Sequence, residues 1–150
     1  MIQERLKELD IILPLAPAPL AAYIPAKKAG GLIFVSGQLP LKDRALMLTG
    51  PMKTEEDSEK AAAALRQCFI NALAAASGVC SPDEIKSVVK LNIYVASTPE
   101  FIWQHKAGNG ASELARSIFG DSGVHARAAI GVPSLPLNAS VELEVIFSLG

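Results

Sequence analysis

Arg127 heads an apolar run of small residues, His125-Ala126-Arg127-Ala128-Ala129-Ile130-Gly131-Val132. A guanidinium opening such a strand is costly unless it is paired or near water. Its planar fork suits a carboxylate held by two parallel hydrogen bonds. A structural ion pair at a strand end would use the same group. A second run, Val141-Glu142-Leu143-Glu144-Val145-Ile146-Phe147, alternates. Val141, Leu143, Val145 and Phe147 share one face, and Glu142 and Glu144 share the other. If these last two strands form a hairpin turning near Ser134 and Leu135, Arg127 and Glu142 stand roughly opposite each other. They would then make either a cross-strand salt bridge or a site. In the site, Arg127 takes a substrate carboxylate and Glu142 orients or deprotonates a water.

Weaker signals surround this pair. Ser36-Gly37-Gln38 offers a hydroxyl and a permissive glycine at a strand end, which is also ordinary turn chemistry. Tyr23 is one of two tyrosines and falls in an expected strand, where a core role would suit it. His105 falls on a helix surface, and His125 shares strand parity with Arg127 at the rim of any pocket there. Two histidines without acids at ligand spacing are too few for a usual metal site. The chain has no glycine-rich phosphate loop and no Gly-x-Ser-x-Gly elbow. Redox and phosphoryl-transfer chemistry are therefore poorly supported, and no metal or organic cofactor is expected.

The elements that must position these residues read as follows. Ile2, Leu6 and Leu9 have helical spacing. The proline-rich stretch after them reads as extended, so residues 1–20 form a helical and Pro-rich extension to a single domain spanning 1–150. Residues 21–26 and 32–36 read as two strands, separated by Lys27, Lys28 and the Gly30-Gly31 turn. A third short strand is expected over 45–48. Thr54 with Asp57 resembles a capping box for a long helix ending at Gly78. Its expected buried stripe is Ala61, Leu65, Cys68, Phe69, Ala72 and Leu73. Ser81-Pro82-Asp83-Glu84 starts a helical turn, and residues 87–96 are β-rich. A second helix is expected over 99–119, stopped by Gly120, with Gly108 and Gly110 favouring a kink or break. The order β-β-(β)-α-β-α-β-β implies a two-layer α+β domain with a mixed sheet and two helices on one face.

Bulk properties set the outer bounds. One hundred and fifty residues make one ordinary domain. Half of them are apolar and the mean hydropathy is +0.31, so some apolar surface is expected to close against other subunits. A net charge of −1 carries no broad footprint for nucleic acid. Cys68 and Cys80 read as free thiols of a reducing compartment. Residues 11–26 are apolar, but Pro14, Pro17, Pro19 and Pro25 would break a spanning helix, and the acids ahead of them do not suit a secretory signal. A cytoplasmic protein with no membrane partner is the expectation.

Taken together, Tyr23, Phe34-Val35-Ser36-Gly37-Gln38-Leu39-Pro40, Val88-Val89-Lys90-Leu91-Asn92-Ile93-Tyr94-Val95, Ala126-Arg127, Leu135-Pro136 and Val141-Glu142-Leu143-Glu144 are similar, in order and spacing, to the RidA/YjgF family. That family is also called L-PSP endoribonuclease or translation initiation inhibitor. The resemblance covers about residues 21–149. It implies a chorismate-mutase-like fold and a homotrimer with a pocket at each subunit interface. It implies that Arg127 binds the carboxylate of 2-aminoacrylate or related imino acids and that Glu142 handles the attacking water. Tyr23, Ser36 and Gly37 would line the pocket. So would Ala129, where the best-known members carry cysteine, and His105, where many carry asparagine. With the N-terminal extension, these two departures mark a divergent subgroup. The expected reaction is hydrolysis of a reactive imine to a 2-keto acid and ammonia. The alternatives are a trimeric protein that binds small carboxylates without turnover, or a ribonuclease. The pI near 6.1 and the scarcity of histidine argue against the last.

Overall fold

The computed structural model describes residues 1–16 and 22–150. Helix α1 (Ile2–Glu8) is followed by strands β1 (Ala26–Ala29), β2 (Leu32–Gln38), β3 (Leu41–Lys42) and β4 (Ala45–Leu46). Helix α2 (Asp57–Ser77), strand β5 (Ser87–Ala96), helix α3 (Gln104–Phe119), strand β6 (Ala126–Val132) and strand β7 (Val141–Ser148) complete the order. Five strands form one mixed sheet in the order β1-β2-β7-β5-β6, and β3 and β4 pair separately. The architecture is the two-layer α+β arrangement that the hydrophobic periods imply, with α2 and α3 on one sheet face and α1 as a third helix.

The layer between helices and sheet is the core. All six residues of the expected α2 stripe are fully buried. Small side chains, Ala61, Ala64, Ala72, Ala75 and Ala76, let α2 lie close to the strands. Phe147 of β7 meets Phe69 of α2 edge-on, with ring centroids 6.0 Å apart. At the start of α2 the Asp57 carboxylate accepts the backbone N–H groups of Lys53 and Thr54, which is one arm of the expected capping box. Those two bonds hold the Asp57 carboxyl below its ordinary value. Helix α1 is tied to α3 by Arg5, whose Nε donates to the Ser117 carbonyl at 2.7 Å.

Several sequence expectations need correction. The first strand does not cover 21–26. Residues 22–25 lie outside any strand, Ala21 lies outside the described residues, and β1 runs through the two lysines to Ala29. As an edge strand β1 tolerates Lys27 and Lys28 facing water, and only Gly30-Gly31, both at positive φ, make the turn. Tyr23 therefore lies outside the strands and is 60% exposed, not a core residue. Helix α3 begins at Gln104, because residues 98–103 form a turn with Phe101 buried at its centre. The helix is continuous through Gly108 and Gly110. A Cβ at Gly110 would stand 2.0 Å from the Ala62 carbonyl oxygen of α2, so that glycine serves close helix packing.

The largest correction concerns the last two strands, which do not form a hairpin. Strand β6 lies parallel to β5 at the sheet edge, reached through the α3 crossover, and β7 pairs antiparallel on the other side of β5. Residues 133–140 carry the chain across the end of β5, where Ala96 N–H donates to the Ser140 carbonyl and Ser97 N–H to the Val132 carbonyl.

Candidate active site

The register decides which side chains meet. Arg127 pairs with Leu91 of β5, and Leu91 faces the helices at 0% exposure. Glu142 pairs with Tyr94, three residues further along β5 and so on the opposite face. Within one chain Arg127 and Glu142 therefore occupy opposite faces of the sheet, with β5 between them.

Arg127 lies against α3. Its Nη1 donates to Asn109 Oδ1 at 3.0 Å and to Ser112 Oγ at 3.1 Å, and its Nη2 donates to the His105 carbonyl at 3.1 Å. Gly108 makes room for it, since a Cβ there would stand 3.0 Å from Nη1. Among the described residues no carboxylate forms an ion pair with Arg127. Three of its five N–H groups are spent on neutral acceptors, leaving Nε–H and one Nη2 hydrogen. Ala129 follows two residues along on the same face, partly buried. His105 enters this group through its backbone carbonyl, while the residue as a whole is exposed.

Glu142 is built from the other side. Strand β2 pairs with β7 regularly up to Val35 and resumes at Gln38, so Ser36 and Gly37 form an irregularity in the ladder. Gly37 then lies directly under Glu142. A Cβ at position 37 would be 2.1 Å from Glu142 Oε1. Burial, with the charge of Glu144 as a second cause, raises the Glu142 carboxyl above its ordinary value. Glu144 is held by Tyr94, whose hydroxyl donates to Oε2 at 2.9 Å, and by Asn92 Nδ2 at 3.4 Å. Cys68 on α2 is fully buried; burial, then the charge of Glu142, pushes its thiol well up, which makes it an inert core residue.

Tyr23 and Ser36 line one open cavity of about 570 Å³ together with Phe34, Asn92 and Glu144. Ser36 Oγ donates to the Ile24 carbonyl at 2.7 Å, which fastens the segment carrying Tyr23 to the bulge. The structure thus gathers Tyr23, Ser36, Gly37 and Glu142 on the uncovered face, and Arg127, Ala129 and His105 at the β6–α3 edge. Sequence reasoning had Asn92 and Tyr94 only as marks of the family resemblance, with no site role, and did not single out Asn109 or Ser112. A signal existed for the last two, because His105, Asn109 and Ser112 at i, i+4 and i+7 make one polar stripe along a helix. Among the described residues no group of three or more His, Cys, Asp or Glu could hold a metal ion. No described helix is long and apolar enough to cross a membrane.

Comparison with known proteins bears on this arrangement. A solved structure of a protein of unknown function from Agrobacterium tumefaciens is 42% identical, covers 99% of this chain and 92% of its own, and superimposes with a TM-score of 0.90. Protein TCP17 of Trypanosoma cruzi is 37% identical over 150 residues, spanning 99% of this chain and 94% of that protein. A protein of Dermatophagoides farinae named 2-iminobutanoate/2-iminopropanoate deaminase is 32% identical over 139 residues, 91% of this chain and 92% of its own. The family model described as Endoribonuclease L-PSP matches residues 14–148. With a match over nearly the whole chain and the fold to go with it, the protein belongs to the Endoribonuclease L-PSP family, the RidA/YjgF family.

Proposed function

We propose that this protein hydrolyses reactive imines and enamines of the 2-aminoacrylate type to 2-keto acids and ammonia, at sites shared between neighbouring copies of the chain. The observation that carries this reading is Arg127, which has two N–H donors left and no carboxylate partner among the described residues. That is the state of a guanidinium kept for an anionic ligand. The name of the Dermatophagoides farinae relative supports an imino acid as that ligand.

The chemistry is simple. Arg127 holds the carboxylate and so fixes the C=N carbon beside it. The reaction starts from the protonated imine. Glu142, as carboxylate, takes a proton from water while the oxygen bonds to that carbon and the C=N electron pair moves to nitrogen, giving a neutral carbinolamine. The protonated Glu142 passes that proton to the nitrogen. The C–N bond then breaks and ammonia leaves as C=O forms, and the hydroxyl proton goes to the Glu142 carboxylate and from there to the departing ammonia. A carboxyl raised toward neutrality suits both halves of this exchange. Imines react readily with water, so a fixed carboxylate and an oriented water suffice, and the proposed reaction uses no cofactor.

Arg127 of one copy reaches Glu142 of another only across an interface, because the two lie on opposite faces of their own sheet. The uncovered face offers such an interface. It carries Phe34 at 44% and Ile130 at 50% exposure. A contact joining the β6 edge of one chain to the β2–β7 face of the next is head-to-tail and closes into a ring, for which a homotrimer is the proposed size. Neither a nucleic-acid nor a membrane partner is part of this reading, which is that of a cytoplasmic enzyme.

The test generates imino acids with an amino-acid oxidase, traps them with semicarbazide, and measures their diversion to keto acid. Activity in the parent, lost in Glu142→Gln while carboxylate binding is retained, is the expected result. Carboxylate binding with no turnover of any imine by the parent would make it a binding protein instead.

A further inference from the structure

Resting on Arg127 as the carboxylate anchor, the geometry points to Asn109, Ser112 and His125 as positioning residues that brace its guanidinium and set the affinity of the site for carboxylates. The brace is a chain of hydrogen bonds with one consistent direction. A backbone carbonyl only accepts, so His125 Nδ1, 2.6 Å from the Gly123 carbonyl, carries the hydrogen. In the neutral ring Nε2 is then an acceptor, and it lies 2.9 Å from Ser112 Oγ. The Ser112 hydroxyl donates to it, which turns a lone pair toward Arg127 Nη1 at 3.1 Å. Asn109 Oδ1 takes the second Nη1 hydrogen at 3.0 Å. Nη1 is thereby saturated within the chain, and the floor under it is closed, because Gly108 leaves Nη1 and Cζ no spare depth.

Two consequences follow for binding. The guanidinium cannot rotate without breaking bonds to three points on α3, so little rotamer freedom remains to be lost when a ligand arrives. The unspent donors, Nε–H and one on Nη2, are all that it can offer. None of the brace residues carries negative charge, so the cation is oriented without being neutralised. An ion pair would fix Arg127 equally well but would compete with the substrate for it.

The experiment measures binding of pyruvate and 2-oxobutanoate, the products of the proposed reaction, by calorimetry, alongside steady-state imine hydrolysis. Ser112→Ala is expected to weaken the keto acids about tenfold, the scale of one hydrogen bond to a charged group. The same factor should appear in KM, with kcat within about twofold of the parent. Ser112→Thr restores the hydroxyl and should restore binding to within about twofold. Exposed Asn109→Ala should weaken binding about threefold without disturbing the fold. His125→Phe, which keeps a ring and removes Nε2, should do likewise. Arg127→Ala abolishes binding and is the reference. Ser112→Ala and Asn109→Ala both binding as the parent does, while Arg127→Ala does not bind, would overturn the brace and leave the anchor standing. Arg127→Ala binding as the parent does would overturn both. A fall in kcat with KM unchanged in Ser112→Ala would also overturn the brace.

Discussion

Gly37→Ala separates the placement of Glu142 from the stability of the fold. The added methyl would stand 2.1 Å from Glu142 Oε1, 2.9 Å from Cδ and 3.2 Å from Cγ. To restore ordinary contact at 3.4 Å, the carboxylate oxygen has to recede by roughly 1.3 Å. The three atoms nearest the methyl all belong to one flexible side chain, that of Glu142, so relief is expected from that side chain and not from the backbone. Gly37 does not adopt positive φ, so alanine fits its conformation. Stability is therefore expected to stay within about 1 kcal/mol of the parent, helped by the smaller entropy loss of alanine in a strand. The Glu142 carboxylate, to which the proposed mechanism gives the proton transfer, is however displaced by more than an ångström. A misplacement on that scale costs about 10²-fold in rate, or about 2.7 kcal/mol of barrier. Urea unfolding and imine hydrolysis on the same preparation check both halves. An unchanged kcat in a folded Gly37→Ala protein would refute the assignment of Glu142 as the group that moves the proton. A collapse in stability would refute the claim that only a side chain yields.

Gly110→Ala is the converse case: its methyl would meet backbone at 2.0 Å, so α2 and α3 must separate. An overpacking cost of about 1–3 kcal/mol is expected in urea unfolding. Glu142→Gln tests the raised carboxyl through stability. A folded-state value raised by burial means that ionisation is disfavoured in the fold, so the parent loses stability as pH rises from the unfolded value through the raised one. Glu142→Gln should match the parent in acid and exceed it at pH 8; the reverse order in thermal unfolding would contradict the cause given. Asp57→Ala removes the acceptor of two N–H groups at the start of α2 and should cost about 1 kcal/mol at neutral pH. Because the Asp57 carboxyl is held low, its contribution is present above the unfolded value and is lost as pH falls through the folded one, so the two proteins should converge in acid.

The parts of the fold that were legible in the sequence have strong periods. The α2 stripe from Ala61 to Leu73 and the alternation of β7 describe the buried faces directly. Residues 87–96 matched β5 because β-branched residues fill it between clear turn signals. What could not be read was pairing across the chain. A short connection between two strands suggests a hairpin, yet hydrogen bonds at the end of β5 let residues 133–140 pass to its far side. That one choice separates Arg127 from Glu142. It also decides which face of β6 is turned to the helices. A hairpin would put Arg127 on the face of Glu142, whereas pairing with β5 puts it on the face of Leu91. The small apolar residues on both sides of Ala126–Val132 give no alternation that tells the two apart. Lys27 and Lys28 misled the reading of β1 because a charged pair looks like a turn, whereas an edge strand carries it readily. Gly108 and Gly110 read as weak points in α3, and both prove to be points of close approach, to Arg127 and to Ala62. Arg127 itself was legible as a misfit in an apolar strand; its acceptors on α3 lie 15 and more residues away in sequence and needed the crossover to be known.

Complementation between two inactive variants tests the shared imine-hydrolysing site most directly. Arg127→Ala and Glu142→Gln would each be purified, mixed in equal amounts, unfolded, refolded together, and assayed for imine hydrolysis. If each site takes Arg127 from one copy and Glu142 from its neighbour, random mixing joins two intact residues at about one interface in four, and about a quarter of the parent activity returns. No activity in a mixture shown by native mass spectrometry to contain mixed assemblies, with the parent active, would contradict the account.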